Sequence, residues 1–435
     1  MKTLSKSRFV SGVQCEKKLW YSYYRKDLQL PTDEQTQAIF DLGHQIGNLA
    51  QNRFPNGKDA TPEDFSDFSP SIEKTKLWIA EEVETIYEAT FTAKNALCML
   101  DILHRMNDEI WAIEVKNSTS VKDYHLIDAS LQYFVMKEAG YAPDKFFLMH
   151  INNQYIKNGE LTDEFFHLED ITDKVLSKQT WVEENLERLL VMLENKQEPN
   201  VSIGAHCSSP FACDFVHHCW KHIPENSVFE LYRGGNKAWE LYEQGILKIE
   251  DIEDDFPLTH FQHLQRKGLR NQEQYINKEA IKNMISSWQF PLYFFDFETV
   301  FPAIPVLDGT RPYQQVPFQY SLHILEEDGK LSHKEFLAHP EDFSNGKNPL
   351  KLLVEQLKQD FGTDGNIVTY NQSFEVARLN ELANMFPEDA PFLKNLVSRV
   401  VDLLPVFQGG FFCFYLGGIS VYSSRFFSVI TSRIT

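Results

Sequence analysis

Residues 95–118, NALCMLDILHRMNDEIWAIEVKNS, decide the fold of the first half of the chain. The two apolar runs predict antiparallel strands that are joined by a short turn at Asn107. Because side chains alternate between the two faces of a strand, Glu114 and Lys116 share one face of the second strand. Asp101 lies on the first strand, so the hairpin is predicted to bring two carboxylates and one amine close together.

These three residue types suit the hydrolysis of a phosphodiester bond with the help of a metal ion. Two carboxylates on adjacent strands can hold Mg²⁺ or Mn²⁺, because these hard ions prefer oxygen ligands. Lys116 would then lie beside a metal-bound water, and Glu88 on the preceding strand can supply a further carboxylate. The same spacing also fits a half-exposed strand on which Glu114 and Lys116 face water as a pair, so both interpretations stay open.

Three of the six cysteines fall in one short segment, CSSPFACDFVHHC, as Cys207, Cys213 and Cys219. Cys15 lies about 190 residues earlier. A long intracellular chain has little use for disulfides, so clustered cysteines indicate a metal. Three thiolates and a distant fourth can complete a site for an iron–sulfur cluster. Zinc, with nearby histidines as further ligands, and buried cysteines without a metal are the alternatives.

A new strand pattern begins in FPLYFFDFET and places Asp296 and Glu298 on one face. Two acids at the end of a buried strand are costly unless they are paired or bind a metal. The strand–turn–helix pattern that follows contributes Asn371 and Glu375. These residues mark a second candidate site, and an ordinary strand end is the alternative.

Composition and charge limit the classes of protein to consider. The 435 residues carry 42 Lys and Arg against 62 Asp and Glu, a net charge of −20. That balance argues against a protein that coats nucleic acid over its whole surface, although the basic and aromatic residues of 1–26 leave room for a local groove. No stretch reaches the roughly 18 uncharged apolar residues of a membrane helix, and the basic N-terminus lacks the apolar part of a secretory signal. We therefore expect a cytoplasmic protein with no membrane partner.

The first constellation resembles the RecB-like PD-(D/E)XK nucleases, in the branch that carries an iron–sulfur clasp, as in certain CRISPR-associated and AddB-type nucleases. The resemblance covers roughly residues 1–222 and implies a restriction-endonuclease-like α/β fold. It implies that Asp101 and Glu114 bind Mg²⁺ or Mn²⁺, that Lys116 positions the water, and that Gln132 on the next helix orients the site. The sequence departs from the family's helix motif, because a methionine stands where a tyrosine is expected.

The same resemblance implies a cofactor. In that family a 4Fe-4S cluster ties the two ends of the domain together. The ligands carried over to this chain are Cys15, Cys207, Cys213 and Cys219.

The second constellation resembles the DEDD exonucleases of the ribonuclease H-like fold, which use two metal ions. Asp296 and Glu298 match their first motif, and Asn371 and Glu375 match their second, with Glu375 in the place of the usual aspartate. Their final motif is missing, since no acidic residue follows Asp402. The resemblance therefore implies a partial domain whose exonuclease site is incomplete.

The whole arrangement resembles an uncharacterised bacterial family, domain of unknown function 2779, over nearly all of residues 1–408. The predicted class is α/β (α+β). The predicted parts are a RecB-like domain at 1–225, a helical connector at 226–289, a truncated ribonuclease H-like domain at 290–408 and an anomalous tail at 409–435. The tail has no acidic residue and no lysine, which favours a lost reading frame over a genuine apolar tail.

The sequence thus predicts a metal-dependent nuclease that hydrolyses DNA, single-stranded or from its ends. DNA is favoured over RNA by analogy alone. The alternative is a non-catalytic nucleic-acid-binding module with a structural zinc or iron–sulfur site. The oligomeric state is open.

Overall fold

A computed structural model of the chain describes residues 2–273, 275–343 and 347–405, and the backbone of 412–413. The chain divides into two compact units, Met1–Lys221 and His222–Thr435. Each unit combines helices with a mixed sheet, as the predicted α+β class requires. Apart from the backbone of 412–413, the predicted anomalous tail lies outside the described residues.

The first unit contains fifteen labelled helices and strands in its described residues. They are β1 (Leu4–Ser5), α1 (Lys6–Gln14), α2 (Glu16–Tyr24), α3 (Glu34–Gln51), β2 (Lys58–Asp59), α4 (Ser69–Ala80), β3 (Thr85–Ala93), β4 (Ala96–Met106), β5 (Glu109–Lys116), α5 (Asp123–Glu138), β6 (Lys145–Ile151), β7 (Phe166–Asp170), α6 (Thr172–Leu176), α7 (Gln179–Glu194) and α8 (Val216–Cys219). The sheet has the order β2-β3-β4-β5-β6-β7, and β1 pairs with β4.

The predicted hairpin is confirmed. Strands β4 and β5 are antiparallel, and Met106 pairs with Glu109 across the turn. Asn107 takes a left-handed conformation there, with φ +57°, which asparagine tolerates better than most residues. Strands β5 and β6 are parallel, so α5 forms the crossover between them. This crossover carries Gln132 over the sheet.

The segment before the cysteines forms two helices, α6 and α7. The hydroxyl of Ser177 donates to the carbonyl of Lys174 at 2.8 Å, a local bond that competes with the helical pattern. The polar segment 55–71 contains β2, which pairs with β3 but is too short to show any periodicity.

The core of the first unit lies between the sheet and the helices α1, α5 and α7. It includes Phe9 from α1, Leu148 from β6, Val135 from α5 and Leu189 from α7, all fully buried. Cys98 is also fully buried in this core. The sheet face under α5 is called the helix-covered face below.

The second unit contains thirteen labelled elements in its described residues. They are α9 (Asn236–Glu243), α10 (His260–Asn271), β8 (Tyr275–Ile276), α11 (Lys278–Ile285), β9 (Leu292–Val300), β10 (Val316–Leu325), β11 (Leu331–Leu337), α12 (Pro349–Asp360), β12 (Asn366–Thr369), α13 (Ser373–Met385), α14 (Ala390–Ser398), β13 (Val400–Asp402) and β14 (Phe412–Cys413). Its main sheet has the order β11-β10-β9-β12-β13. Strands β9, β10 and β11 are antiparallel, while β12 and β13 run parallel to β9.

Candidate functional site

Asp101 and Glu114 converge where β4 and β5 separate. The ladder between these strands reaches the pair Ile102–Ile113. Beyond it, the backbone N–H of Val115 donates to Asp101 Oδ2 at 2.6 Å. A side chain has replaced a strand carbonyl as the acceptor, so the strands open at the point where the two acids lie.

Strand β3 is distorted at the same level. Glu88 has φ +54°, a conformation that non-glycine residues seldom adopt within a strand. Ile86 and Ala89 both belong to the same core although they are three positions apart, so the strand changes its alternation at Glu88. The distortion turns this carboxylate toward Asp101, whose charge raises the pKa of Glu88 in addition to the effect of burial. Such outliers concentrate at functional sites.

Glu114 is the centre of the site, with a side chain that is only 1% exposed. Its Oε1 accepts from Lys6 Nζ and from Lys116 Nζ, each at 2.7 Å. Its Oε2 accepts from Gln132 Nε2 at 2.8 Å. Lys116 Nζ also donates to Asp128 Oδ2 at 2.6 Å. The structure therefore brings Glu114, Lys116 and Gln132 into direct contact.

Two residues of this site were missed by sequence reasoning. Asp128 precedes Gln132 by one helical turn, so the helical spacing could have placed it on the same face. No spacing in the sequence pointed to Lys6. It reaches the site because β1 pairs with β4, which sets the first turn of α1 over the sheet, where Lys6 Nζ also donates to the carbonyl of Met99 at 3.1 Å.

The site carries more negative than positive charge. Its ionisable groups, called the acid–lysine cluster below, are four carboxylates and two amines: Glu88, Asp101, Glu114, Asp128, Lys6 and Lys116. If all are ionised, four negative charges minus two positive charges leave an excess of two. That excess equals the charge of one divalent cation.

The pKa shifts show where the excess resides. Burial alone would raise the pKa of Glu114, but Lys116 and Lys6 outweigh it and hold that pKa below its usual range. Burial, and then the charge of Glu114, raise the pKa of Asp101 above its usual value. Burial and then Asp101 raise the pKa of Glu88 as well. The two lysines therefore leave Asp101 and Glu88 uncompensated, and a pKa of about 8 keeps the Glu88 carboxyl mostly protonated at neutral pH when no metal is bound.

An oxygen-rich group with this excess fits Mg²⁺ or Mn²⁺ by charge and by donor type. Asp101 and Glu114 would hold the ion, and Glu88 lies within electrostatic reach of both. In the described residues, oxygen atoms of these three acids do not all lie within 4.8 Å of one another. An ion that shares Glu114 Oε1 would have to displace the ammonium of Lys6, which stands in for a cation there.

The four cysteines predicted to act together line one cavity. Cys15, at the start of α2, meets Cys207, Cys213 and Cys219 around about 360 Å³ of empty space that is partly open to solvent. His206 also lines this cavity. Burial, with smaller effects from its neighbours, raises the pKa of Cys213 to about 11.

Hydrogen bonds hold the two ends of the first unit together at this cavity. Gln14 Nε2 donates to the carbonyls of His206 and Phe211, each at 2.7 Å. The ring of Tyr21 packs on Phe215, with centroids 5.2 Å apart. Consequently Tyr21 is internal, and the aromatic residues of 1–26 do not all form the exposed stacking faces that the sequence suggested.

The distances between the sulfur atoms can be compared with those that a zinc site requires. A tetrahedral zinc with Zn–S bonds of about 2.3 Å would bring its sulfur ligands to about 3.8 Å from one another. Among the described residues, no three of these cysteines have all their sulfur atoms within 4.8 Å of one another. In the described residues the sulfur atoms therefore lie farther apart than a tetrahedral zinc site needs.

The acids of the second unit are arranged differently. Asp296 and Glu298 are exposed, whereas Phe295 and Phe297 beside them are buried. The expected cost of burying these two acids was therefore wrong, because the strand presents them to water on its open face. The residues packed around Asp296 still remove part of its hydration, which raises its pKa, and the charge of Glu298 adds to that rise.

Glu375 and Asn371 lie next to these acids at the start of α13. Glu375 is 2% exposed, and its Oε2 has no hydrogen-bond partner. Burial is the largest cause that raises its pKa to about 7, and Asp296 and Asp402 also contribute. Asn371 is exposed with φ +65°, and its N–H donates to Asp402 Oδ1 at 2.8 Å. Three acids thus face one another without a lysine among the groups that shift the pKa of Glu375.

Comparison with known proteins gives a family resemblance for the second unit. A family described as a domain of unknown function (DUF2779) matches residues 293–425. The uncharacterised protein MG366 of Mycoplasma genitalium is 29% identical over 120 residues, which are 26% of this chain and 18% of that protein. Its homologue in Mycoplasma pneumoniae is 32% identical over 121 residues, again 26% of this chain and 18% of that protein.

Two further matches also cover only part of this chain. The uncharacterised protein UU173 of Ureaplasma parvum is 29% identical over 136 residues, 30% of this chain and 19% of that protein. The crystal structure of SSO0001 aligns with 50% of this chain and 85% of its own at 14% identity, with a TM-score of 0.25. None of the described helices combines the length and apolar content that crossing a bilayer requires.

The matched segments span less than a fifth of the length of these curated relatives. What the comparisons establish is a resemblance of this chain to the DUF2779 family, over residues 293–425.

Proposed function

We propose that the chain is a metal-dependent nuclease that hydrolyses phosphodiester bonds of DNA, with its catalytic site in the first unit. The observation that carries this proposal is the buried carboxylate of Glu114, which two lysines and a glutamine hold beside Asp101. Burying charges is costly unless the geometry is well satisfied, and such preorganised groups are typical of catalytic sites.

Each side chain has a role in this proposal. Asp101 and Glu114 would hold the divalent ion, which when bound activates water and offsets charge on the phosphate. Gln132 fixes the orientation of the Glu114 carboxylate through Oε2. Burial alone would lower the pKa of Lys116, but Asp128 and Glu114 raise it above its usual value. Lys116 is therefore protonated at neutral pH, so it donates hydrogen bonds to developing negative charge rather than accepting a proton.

The cavity of the four cysteines supports a second part of the proposal, a 4Fe-4S cluster that stabilises this unit. The ligands come from the start of α2 and from the segment that ends at α8. A cluster held by four thiolates needs sulfur atoms farther apart than zinc does. The group would fasten the N-terminal helices to the end of the unit.

We infer that the second unit is a partial exonuclease-like domain of the ribonuclease H-like type. Its order of three antiparallel strands followed by two parallel strands, with Asp296 and Glu298 on β9 and Glu375 on α13, supports this inference. The predicted boundaries of this domain, at 290 and 408, remain predictions. Asp296 and Glu298 are exposed, whereas Glu114 is buried among two lysines and a glutamine, so we assign the chemistry to the first unit.

One observation favours the alternative, a non-catalytic nucleic-acid-binding module. Lys6 already occupies Glu114 Oε1, so the acid–lysine cluster can exist as a closed network of ion pairs without a metal. In that case the chain would bind DNA but leave it intact.

The test is cleavage of end-labelled single-stranded DNA by the full chain with Mg²⁺, with Mn²⁺ and with a chelator. Wild type should cleave only with a metal, and Lys116→Ala should lose at least about a hundredfold in rate, as loss of a charge-stabilising donor does. Lys145→Ala is the matched control, since Lys145 forms an exposed pair with Asp170 on the same sheet. Binding without cleavage by every variant would favour the module, and equal cleavage by wild type and Lys116→Ala would overturn the assignment.

A further inference from the structure

We propose that His150, His167 and Glu169 form a binding site for a divalent transition-metal ion, of which Zn²⁺ is the best match. Their ligand atoms all lie within 4.8 Å of one another, and no other described group of three such residues is as tight. None of these three residues belongs to the acid–lysine cluster or lines the cysteine cavity.

The register of two strands creates this site. Strands β6 and β7 are antiparallel, and His150 pairs directly with His167, with ring centroids 5.1 Å apart. Glu169 lies two residues beyond His167 and thus on the same face of β7. His150 Nε2 lies 3.8 Å from Glu169 Oε2. The strands therefore bring two imidazoles and a carboxylate to one face at an edge of the sheet.

His150 is oriented to bind. It is 6% exposed, and its Nδ1 lies 3.2 Å from the carbonyl of Ile151. A carbonyl can only accept, so Nδ1 donates in this contact, and in a neutral ring Nε2 would offer its lone pair toward Glu169. This is the arrangement in which metal-binding histidines are usually held by a backbone acceptor.

The other ligands are placed to close around an ion. Glu169 Oε1 accepts from Lys174 Nζ at 2.8 Å, which leaves Oε2 toward His150. An ion about 2.0–2.2 Å from each ligand atom would hold those atoms about 3.3–3.5 Å apart in tetrahedral geometry. The contact of 3.8 Å is a few tenths of an ångström from that distance. His167 is exposed, so its ring can adjust without disturbing the core.

The donor set points to the ion. Two imidazoles and one carboxylate are the three protein ligands of many zinc sites that keep a fourth position open, whereas Mg²⁺ prefers oxygen alone. Lys116 pairs with His150 across the parallel strands β5 and β6, so the ion would lie one strand away from the acid–lysine cluster. Leu148, which pairs with both Glu114 and Glu169, separates the two acids.

The experiment is a calorimetric titration of Zn²⁺ into the chelator-treated full chain, with bound metal counted per chain. His167→Ala and Glu169→Gln should each lose one zinc, or weaken that site by at least the roughly tenfold that loss of an outer-sphere partner costs. Both positions are at the edge of the sheet, so circular dichroism should show an unchanged fold. Co²⁺ spectra distinguish this site from the cysteines, because only thiolate ligands give an intense sulfur charge-transfer band.

His333→Ala is the matched control. His333 belongs to another cross-strand histidine pair, with His323 at 4.3 Å between centroids, but no third ligand completes a triad there among the described residues. The His333→Ala variant should bind the same number of zinc ions as wild type, with the same affinity. If His167→Ala and Glu169→Gln bind the same number of zinc ions with unchanged affinity, the proposal is wrong, whatever the outcome for DNA cleavage.

Discussion

Both units gather acidic side chains at the middle of a mixed sheet, but among the described residues only the first pairs the buried carboxylate of that group with lysines through hydrogen bonds. Glu114 is buried with two lysines and a glutamine around it. In the second unit, Asp296 and Glu298 face water, while the buried Glu375 keeps one oxygen without a partner. In the first unit, lysines and a glutamine already satisfy the buried acid, whereas in the second unit the buried acid keeps an oxygen without a hydrogen-bond partner.

The difference has a physical cause. A buried carboxylate is stable when opposite charges and hydrogen bonds satisfy it, and otherwise it tends toward the neutral form. Lys116 and Lys6 keep the pKa of Glu114 low, whereas no lysine contributes at Glu375, whose pKa rises to about 7. The first unit thus holds a buried carboxylate in its ionised form, whereas the second shifts its buried carboxyl toward the neutral form.

The largest expected effect concerns the cysteines, which only the first unit brings together in its described residues. Cys213→Ala should lose the iron and its visible absorption when the protein is purified without oxygen, because one of four thiolates is missing. Cys98→Ala is the control, since Cys98 is fully buried in the core, away from the cavity. The measurement is iron and sulfide per chain. A colourless wild type with stoichiometric zinc would refute the cluster.

The next prediction compares substitutions of two acids, each of which contacts two lysines. Glu114→Gln should destabilise the first unit by about 2–4 kcal/mol, because Lys6 and Lys116 are left partly buried without their shared partner. Asp389→Asn should cost about 1 kcal/mol or less, because Lys351 and Lys358 are more exposed and solvent screens them.

The measurement for this pair is the free energy of unfolding from urea titration, with a separate probe for each unit. Equal costs for the two substitutions would contradict the claim that the first unit holds the more deeply buried charge network.

The smallest effect is a pH dependence in the second unit. The pKa of Glu375 rises from 4.5 to about 7 in the folded chain. The folded state therefore binds the proton more tightly, and stability falls as the pH rises from 4.5 through 7. Glu375→Gln should remove this loss and stabilise the second unit by on the order of 1–3 kcal/mol at pH 8, with no gain below pH 4.5.

Thermal unfolding of the metal-free chain at pH 4.5, 6 and 8 checks this prediction. Glu355→Gln, at an exposed position on α12, is the control and should show no such change. A gain that is the same at all three pH values would mean that Glu375 is not the titrating group.

Much of the first site followed from short-range rules. Alternation along β5 placed Glu114 and Lys116 on one face, whereas Gln132 was named only through the family resemblance. Lys6 could not be predicted, because its position depends on a two-residue pairing between β1 and β4. The left-handed conformation of Glu88 was equally invisible, since no residue pattern reports a positive φ at a glutamate.

At the second site, reasoning from local sequence failed to predict which side chains are exposed. The sequence pattern grouped Asp296, Glu298 and Glu375, but our prediction treated the strand end as buried. Exposure depends on which elements cover a strand, and that information is not local. The histidine pair on β6 and β7 was missed for a similar reason, because only the antiparallel register brings His150 opposite His167.

The measurement that tests the central claim most directly applies the same substitution to both units. Cleavage of end-labelled single-stranded DNA in Mg²⁺ should fall at least about a hundredfold in Asp101→Asn. It should stay within about twofold of wild type in Asp296→Asn, with Mn²⁺ giving the same order. If Asp296→Asn abolishes cleavage and Asp101→Asn leaves it intact, the catalytic site lies in the second unit and the present account is wrong.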